Sequence, residues 1–235
     1  MAVKTGADGV ELDVRLARDG IPVVIHDATL ERTALSKRKV SEFTSSELSK
    51  IGVGEWFNLK YPQRARRQFE TEKLPTLTDV YRLLADFDGL IYVELKCDEK
   101  DRIQLASAVC DVIRDSPLLT RTIVKSFDLP VIREFGAKLP AVQTAALFEP
   151  TLRGVLRRRS RLITDTSEAG ASQLSVHYSL VTKGLALLAR RSNIPITVWT
   201  VDDPKWLVRA RQLGVRAVIT NDPQKLLAAR DANIP

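Results

Sequence analysis

The sequence predicts an α/β protein of the eight-stranded barrel class, the TIM (β/α)8 type. Seven short segments rich in β-branched residues recur, and nearly every one is followed by a stretch whose apolar residues have helical spacing. The chain has 235 residues, close to the roughly 250 typical of such a barrel. Its composition, 44% hydrophobic and 28% charged, indicates a folded domain with a sizeable core and excludes disordered and fibrous classes.

The predicted strands and the inner faces of three helices follow from the spacing of apolar residues. The strands are Gly9–Arg15, Leu90–Lys96, Thr122–Phe127, Ala141–Phe148, Gln173–Tyr178, Ile196–Val201 and Ala217–Asn221. The helical stripes are Ile103, Ala106, Val109, Cys110 and Ile113; Leu185, Leu188 and Ala189; and Trp206, Leu207, Ala210 and Leu213. Thr76, with Asp79 three residues later, predicts a capping box that begins a helix reaching Ala85.

A closed barrel of this class has eight strands, and the sequence accounts for seven. Residues 2–8 resemble the last turn of a helix, with Gly6 at its C-terminal end. A helix that ends there implies a strand and most of a helix before Met1. We therefore expect the first strand and most of the first helix to be absent, and the natural protein to be longer.

Residues 28–74 interrupt the repeat with turns, several aromatic residues and many charges. Long excursions in compact domains are usually functional or disordered. We expect a single domain over residues 1–235, with residues 28–74 forming a small inserted cap on the catalytic rim.

The net charge of +7 favours anionic partners, although solubility alone explains it as well. No run approaches the ~18 apolar residues of a membrane helix, and no export leader is visible. We expect a cytoplasmic protein without a membrane span; the sequence does not indicate its oligomeric state. Cys97 and Cys110 match neither a disulfide framework nor a zinc motif, so we expect reduced thiols.

The densest charge run consists of Arg157, Arg158, Arg159 and Arg161. No aromatic residues that could stack on bases interleave with it. We interpret it as a solvated face near a helix C-terminus and expect no nucleic-acid partner.

Three carboxylates are predicted to converge at the ends of two strands. The apolar residues of the first strand share one face, so Glu11 and Asp13 share the other, towards the barrel axis. The next strand along the chain places Glu94 and Lys96 on its inner face, beside them. Clustered carboxylates are ligands of a hard divalent cation, and we expect Mg²⁺ or Ca²⁺. The alternative is a structural cluster whose charge Lys96 offsets in part.

A hairpin is predicted after the first strand, because Asp19-Gly20 is typical of a two-residue turn. With that loop, Asp13 lies directly opposite His26, and opposed residues share a face of the ribbon. Histidine is suited to general acid or base work because it titrates near neutrality. We expect a catalytic role for His26, the alternative being that it only orients a carboxylate.

Two further side chains lie near the predicted barrel mouth. Trp199 could wall a substrate pocket, with core filling as the alternative. His177, the only other histidine, is more readily interpreted as a loop or packing residue. No Gly-rich phosphate loop and no Gly-x-Ser-x-Gly motif is present, which argues against nucleotide cradling and serine esterase chemistry.

The sequence resembles the glycerophosphodiester phosphodiesterase family, whose members are phospholipase-C-like TIM barrels with a small insertion. The matching stretches, in family order, are residues 6–14, 19–27, 30–33, 74–77, 93–96, 126–128, 198–201 and 219–221. The resemblance implies hydrolysis of glycerophosphodiesters to glycerol 3-phosphate and an alcohol. It also implies metal ligation by Glu11, Asp13 and Glu94, catalysis by His26, phosphate binding by Lys96 and a glycerol pocket lined by Trp199.

One part of the family pattern has no counterpart. The opening His-Arg-Gly motif, which supplies a second catalytic histidine and a phosphate-binding arginine, would lie upstream of this sequence. We therefore expect impaired activity in this chain, since losing a general acid or base typically costs roughly 10²- to 10⁴-fold in rate. The alternatives are a non-catalytic barrel that binds a phosphorylated ligand or protein partner, and a metal-dependent isomerase or aldolase barrel, which leaves the hairpin histidine unexplained.

Overall fold

The computed structural model describes residues 2–150 and 159–232. Its strands are β1 (Gly9–Leu16), β2 (Pro22–Val24), β3 (Thr29–Leu30), β4 (Ser36–Lys39), β5 (Leu90–Leu95), β6 (Thr122–Ser126), β7 (Gln143–Phe148), β8 (Gln173–His177), β9 (Ile196–Trp199) and β10 (Ala217–Val218). Its α-helices are α1 (Glu31–Ala34), α2 (Ser45–Leu48), α3 (Glu55–Lys60), α4 (Arg67–Glu70), α5 (Leu77–Leu83), α6 (Arg102–Arg114), α7 (Leu129–Lys138), α8 (Arg159–Glu168), α9 (Lys183–Arg191), α10 (Trp206–Leu213) and α11 (Pro223–Asp231).

Eight strands form one sheet in the order β10-β9-β8-β7-β6-β5-β1-β2, and β3 pairs with β4 separately. Successive pairs from β6 to β10 are parallel. At one end of β1, Leu90 N–H donates to the Asp8 carbonyl, and at the other Lys96 N–H donates to the Val14 carbonyl. In both bonds the donor residue follows the acceptor residue along the chain by the same number of residues. The two strands therefore run in the same direction, so β1 and β5 are also parallel. The predicted α/β class and its seven parallel strands are therefore confirmed.

Side-chain caps account for where several helices begin. Asp128, Thr182 and Asp222 each accept a backbone N–H bond at the N-terminus of α7, α9 and α11. The predicted capping box is present, since Thr76 and Asp79 bond reciprocally at the start of α5. That helix ends at Leu83, two residues before the predicted Ala85. Residues Val3–Thr5 form a 3₁₀ turn that stops at Gly6, whose φ of +83° a side chain would disfavour.

The inner face of α6 differs by one position from the prediction. Leu105, Ala106, Val109, Cys110 and Ile113 are buried, whereas Ile103 is 62% exposed. The other four predicted positions are buried, and the prediction was wrong for Ile103, whose place on the buried face is taken by Leu105. Ile103 lies in the first turn of the helix, where the apolar pattern is least reliable.

The chain divides into two compact units, each made of more than one segment. The first comprises Met1–Glu11, Phe87–Val93 and Thr120–Pro235; the second comprises Leu12–Asp86 and Glu94–Leu119. In the first unit, Tyr92, Ile123 and Ala145 pack together from β5, β6 and β7. In the second, the core joins the hairpin to residues 28–74 through Ala17, Val23, Ile25, Leu30, Val40, Leu48 and Leu74. The inserted cap over residues 28–74 stays a prediction.

The predicted hairpin register was wrong by one residue. The strands pair Val14 with Val24 and Leu16 with Pro22, and Ile25 N–H donates to the Asp13 carbonyl. The loop therefore contains three residues, 18–20, and ends at Gly20 with φ +77°. A turn followed by a left-handed glycine is the next commonest hairpin after the two-residue one. Ile25, not His26, lies opposite Asp13.

The arginine run lies only partly in the described residues. Arg157 and Arg158 are outside them. Arg159 and Arg161 occupy the first turn of α8, so the predicted position near a helix C-terminus was wrong for these two. Arg161 is ion-paired with Asp165 one turn later, at 2.7 Å, which offsets its unfavourable position near the helix N-terminus.

Both cysteines are free thiols, Cys110 buried and Cys97 half-buried. Among the described residues, no helix has the length and apolar character needed to cross a bilayer.

Candidate active site

Three carboxylates from β1 and β5 come together as the sequence predicts. Glu11, Asp13 and Glu94 each offer an oxygen, and these atoms all lie within 4.8 Å of one another. Both strands are continuous through this region, so the clustering follows from strand alternation and from the pairing of β1 with β5. Glu94 is buried, and the other two side chains are half-buried.

Lys96 bridges two of these carboxylates. Its ammonium is 3.3 Å from Asp13 Oδ1 and forms a short ion pair with Glu94 Oε1. Burial by itself lowers the pKa of Lys96, but the charges and hydrogen bonds of Glu94 and Asp13 outweigh it and raise the pKa above its usual value. Lys96 is therefore a fixed positive charge at neutral pH.

Lys125 of β6 is a site residue that the sequence analysis missed. Its Nζ is 2.8 Å from Glu11 Oε1, and its side chain is only 3% exposed. The signal was present, because Lys125 has the same strand parity as Ile123, which packs inward against Tyr92. A buried lysine on the inner face of a strand indicates an anionic partner.

The donor set suits a hard divalent cation. All three candidate ligands are carboxylate oxygens, without a histidine or thiolate that would favour zinc or copper. Counted over these three carboxylates, Lys96 and Lys125, the formal charge is −1. The residues fit a cation because this negative charge persists after both lysines are paired.

His26 lies two residues beyond β2, where strand alternation no longer determines the direction of a side chain. Its side chain is mostly exposed, and Nδ1 is 2.7 Å from Asp27 Oδ1. Arg32 Nε lies 2.5 Å from the other oxygen of Asp27. The hydrogen bond from Arg32 is the main reason that the pKa of Asp27 is lowered, with a smaller contribution from His26. An ionised Asp27 only accepts, so His26 Nδ1 carries the hydrogen and Nε2 remains to exchange a proton.

Asp27 and Arg32 therefore form a chain that orients His26, which the sequence analysis did not anticipate. Both lie in stretches that it singled out. The backbone also ties His26 to β1, since Arg15 Nε donates to the His26 carbonyl at 2.9 Å. The one-residue change of register removes the argument that placed His26 opposite Asp13, and its catalytic role stays a prediction.

Aromatic rings cluster where β8 and β9 end. The Trp199 ring meets Phe127 and His177 edge-on, with centroids 5.6 and 5.5 Å apart. Trp199 Nε1 is buried and has no hydrogen-bond partner among the described residues. Buried donors are seldom left unpaired, so this N–H marks a place for an acceptor.

His177 is engaged locally. Its Nδ1 is 2.8 Å from Ser179 Oγ, and its ring lies against Tyr178 at 4.4 Å. These contacts agree with a packing role for His177, which is the last residue of β8 and does not lie in a loop.

Comparison with known proteins identifies related sequences along nearly the whole chain. The model of the glycerophosphoryl diester phosphodiesterase family matches residues 1–225. A glycerophosphodiester phosphodiesterase of Caldanaerobacter subterraneus subsp. tengcongensis is 29% identical over 226 residues, which cover 96% of this chain and 87% of the relative.

Solved structures show the same fold. A phosphodiesterase of Oleispira antarctica, in complex with the product sn-glycerol-3-phosphate, has a TM-score of 0.84 at 21% identity, covering 98% of this chain and 87% of its own. A glycerophosphodiester phosphodiesterase of Thermotoga maritima has a TM-score of 0.71 at 26% identity, covering 97% and 87%.

Proposed function

Because the chain belongs to the glycerophosphoryl diester phosphodiesterase family, a family of phosphoric diester hydrolases, we propose that it hydrolyses glycerophosphodiesters to glycerol 3-phosphate and an alcohol with the help of Mg²⁺ or Ca²⁺. The observation that carries the proposal is the convergence of Glu11, Asp13 and Glu94. Lys96 and Lys125 compensate two of the three negative charges, and a divalent cation among the carboxylates would compensate the charge that remains.

Glu11, Asp13 and Glu94 would hold the cation. When bound, it supplies charge neutralisation at a non-bridging phosphate oxygen and lowers the pKa of a neighbouring hydroxyl. The attacking hydroxyl is that of water, which displaces the alcohol directly, or that of the substrate's own glycerol. In the second case water opens the cyclic phosphate that forms and yields glycerol 3-phosphate.

Lys96 supplies a second positive charge for the phosphate. Its ammonium has three donors, and Asp13 and Glu94 use two of them in the structure. The third is free to bind a non-bridging oxygen of the phosphodiester, where it stabilises the charge that develops in the transition state. Lys125 holds Glu11 in place from β6.

His26 moves the proton. With Nδ1–H donated to Asp27, Nε2 takes a proton from the attacking hydroxyl or gives one to the leaving alcohol. Asp27 stabilises the imidazolium that forms in between, and Arg32 keeps Asp27 ionised.

Trp199 forms the wall of the glycerol pocket. Its ring packs against the carbon side of the glycerol, and Nε1–H donates to a glycerol hydroxyl, which supplies its missing partner. The product-bound structure from Oleispira antarctica supports a glycerol 3-phosphate ligand for this fold.

The test is hydrolysis of glycerophosphocholine with Mg²⁺, with Ca²⁺ and with chelator. The assay uses the 235-residue chain. We expect cation-dependent turnover that His26→Ala and Glu94→Gln each lower by roughly 10²- to 10⁴-fold.

Asp165→Asn serves as a matched control, since Asp165 is a buried carboxylate on α8 that pairs with Arg161. It should leave turnover unchanged. Absence of turnover with either cation would overturn the proposal, and binding of glycerol 3-phosphate without turnover would indicate a non-catalytic binder.

A further inference from the structure

Two leucines in residues 28–74 are almost fully exposed. Leu35 follows α1 and is 89% exposed, and Leu59 lies on α3 and is 73% exposed. Single exposed leucines are common on protein surfaces and need no explanation alone. These two are notable because of what lies beside each in the chain and because their helices are in contact.

Positive charges follow each leucine. Residues 35–39 carry Lys37, Arg38 and Lys39, and residues 59–68 carry Lys60, Arg64, Arg66 and Arg67; neither stretch contains a carboxylate. All seven cationic residues are exposed. Glu42 offsets Arg38 through an ion pair of 3.0 Å.

The two stretches are held next to each other. Arg32 of α1 lies over the Trp56 ring of α3, with its guanidinium carbon 4.6 Å from the ring centroid. Leu59 lies three residues after Trp56 on α3, about one helical turn from this contact. Leu35 is the first residue after α1, where the backbone leaves the helix at φ +54°. We call the two leucines and the seven cationic residues the basic leucine surface.

Hydrogen bonds and ring contacts support the α3 side of this surface. Asn58 bonds Arg66 twice, donating to its carbonyl at 2.9 Å and accepting from its N–H at 3.0 Å, which pins the chain after α3. The Phe57 ring packs against the rings of Phe69 and Tyr61, with ring centroids 5.5 and 5.0 Å away. Leu59 is thus presented outward by a packed support, not by a loose loop.

We propose that the basic leucine surface docks on the anionic phospholipid surface of a membrane. Lys and Arg side chains near such a surface are attracted to its anionic headgroups, and inserted leucines add the burial of their apolar area. The positive charge of this surface favours an anionic partner. The exposed aliphatic side chains favour a lipid surface over other anionic partners.

A nucleic acid fits this surface less well. Single-stranded nucleic acid binds through aromatic rings that are free to stack on bases. Here Arg32 and Lys60 lie over the Trp56 ring, and the neighbouring rings pack on one another, half-buried. The accessible side chains of this surface are aliphatic and cationic.

The test is co-sedimentation of the full chain with phosphatidylcholine vesicles that contain or lack phosphatidylglycerol. We expect binding to the anionic vesicles only, and weakening as salt rises, because exposed charges are screened. Replacing Lys60, Arg64, Arg66 and Arg67 by Gln should weaken binding at least ~10-fold, because four electrostatic contacts with the anionic headgroups are lost together. Leu35→Ser with Leu59→Ser should weaken it as well.

Leu83→Ser is the matched control, because Leu83 is 82% exposed on α5. It should bind like the unchanged chain, and unaltered circular dichroism shows that each variant is folded. The proposal is overturned by absence of binding to anionic vesicles at low salt, by equal losses in the Leu35/Leu59 and Leu83 variants, or by single-stranded DNA displacing the vesicles. Vesicle binding does not depend on turnover, so a failure of the proposed function leaves this test intact.

Discussion

Lys125 of β6 reaches Glu11 of β1 with a separation of 2.8 Å, and its side chain is almost completely withdrawn from solvent. A lysine is buried to this extent only when a negative partner compensates its charge. The pair therefore makes one member of the acidic cluster dependent on a side chain from a strand that carries no candidate ligand.

Lys125→Met should destabilise the protein most when no divalent cation is present. Removing one partner of a buried ion pair typically costs about 3–5 kcal/mol, because the other charge is left uncompensated. A cation among the carboxylates compensates the charge of Glu11 instead, so added Ca²⁺ should restore part of the lost free energy of unfolding. Urea unfolding with chelator and with Ca²⁺ measures both values. Lys183→Met, at an exposed position on α9, is the control. Equal losses with and without the cation would contradict the prediction.

A bound divalent cation should raise the melting temperature of the unchanged chain. A ligand that binds only the native state stabilises it by about 2.7 kcal/mol at 100 times its Kd. Glu94→Gln removes one charged ligand while keeping the shape of the side chain, so most of this increase should disappear. Differential scanning fluorimetry over a Mg²⁺ and a Ca²⁺ titration measures it. The control Asp165→Asn should keep the full increase; loss of the increase there too would argue against specific binding at the acidic cluster.

Trp199→Ala should act mainly on substrate binding. The variant removes an apolar wall and an indole N–H that has no other partner among the described residues. We expect KM to rise roughly 10-fold while kcat changes less, because an interaction made equally in the ground and transition states affects KM alone. Steady-state kinetics with glycerophosphocholine separates the two. Trp206→Ala, at a half-buried tryptophan of α10, is the comparison, and a similar rise in KM there would mean that the effect is not specific to Trp199.

Asp27 should make stability depend on pH at the acid end. The hydrogen bond from Arg32 lowers the pKa of Asp27 in the folded state. A lowered native pKa contributes stability that is complete above the unfolded value of about 3.9 and is lost as the pH falls through the native pKa. Asp27→Asn should therefore be less stable than the unchanged chain at pH 7, by about 1 kcal/mol, with the difference shrinking below the unfolded pKa. Thermal unfolding at neutral and acidic pH measures this, and a difference that stays constant with pH would contradict it.

Strand alternation predicted the acidic cluster well because it is a local property. Glu11 and Asp13 are two residues apart on one strand, so they share a face wherever that strand lies. Glu94 joined them through the tendency of strands consecutive in sequence to be neighbours, and the observed β5–β1 pairing agrees with it. The buried face of α6 was predicted correctly except at Ile103, which lies in the first turn of the helix.

The hairpin register could not be predicted from strand alternation. Asp19-Gly20 occurs in both two-residue and three-residue loops, and the choice changes every pairing by one residue. In the structure, Asp19 accepts from the Ser45 backbone and side chain, which belong to a segment 26 residues away. A contact so distant in sequence is not encoded in the turn itself.

By itself, the sequence determined the fold class, the family resemblance and the inward direction of the carboxylates, because each depends on periodicity or on motifs within a few residues. Only the tertiary structure decided that Lys125 pairs with Glu11, that Arg32 and Asp27 orient His26, and that α1, which precedes Leu35, contacts α3, which carries Leu59. Each of these relationships joins side chains whose proximity is set by packing of the surrounding core. Packing is a property of the folded chain as a whole, and short-range patterns do not contain it.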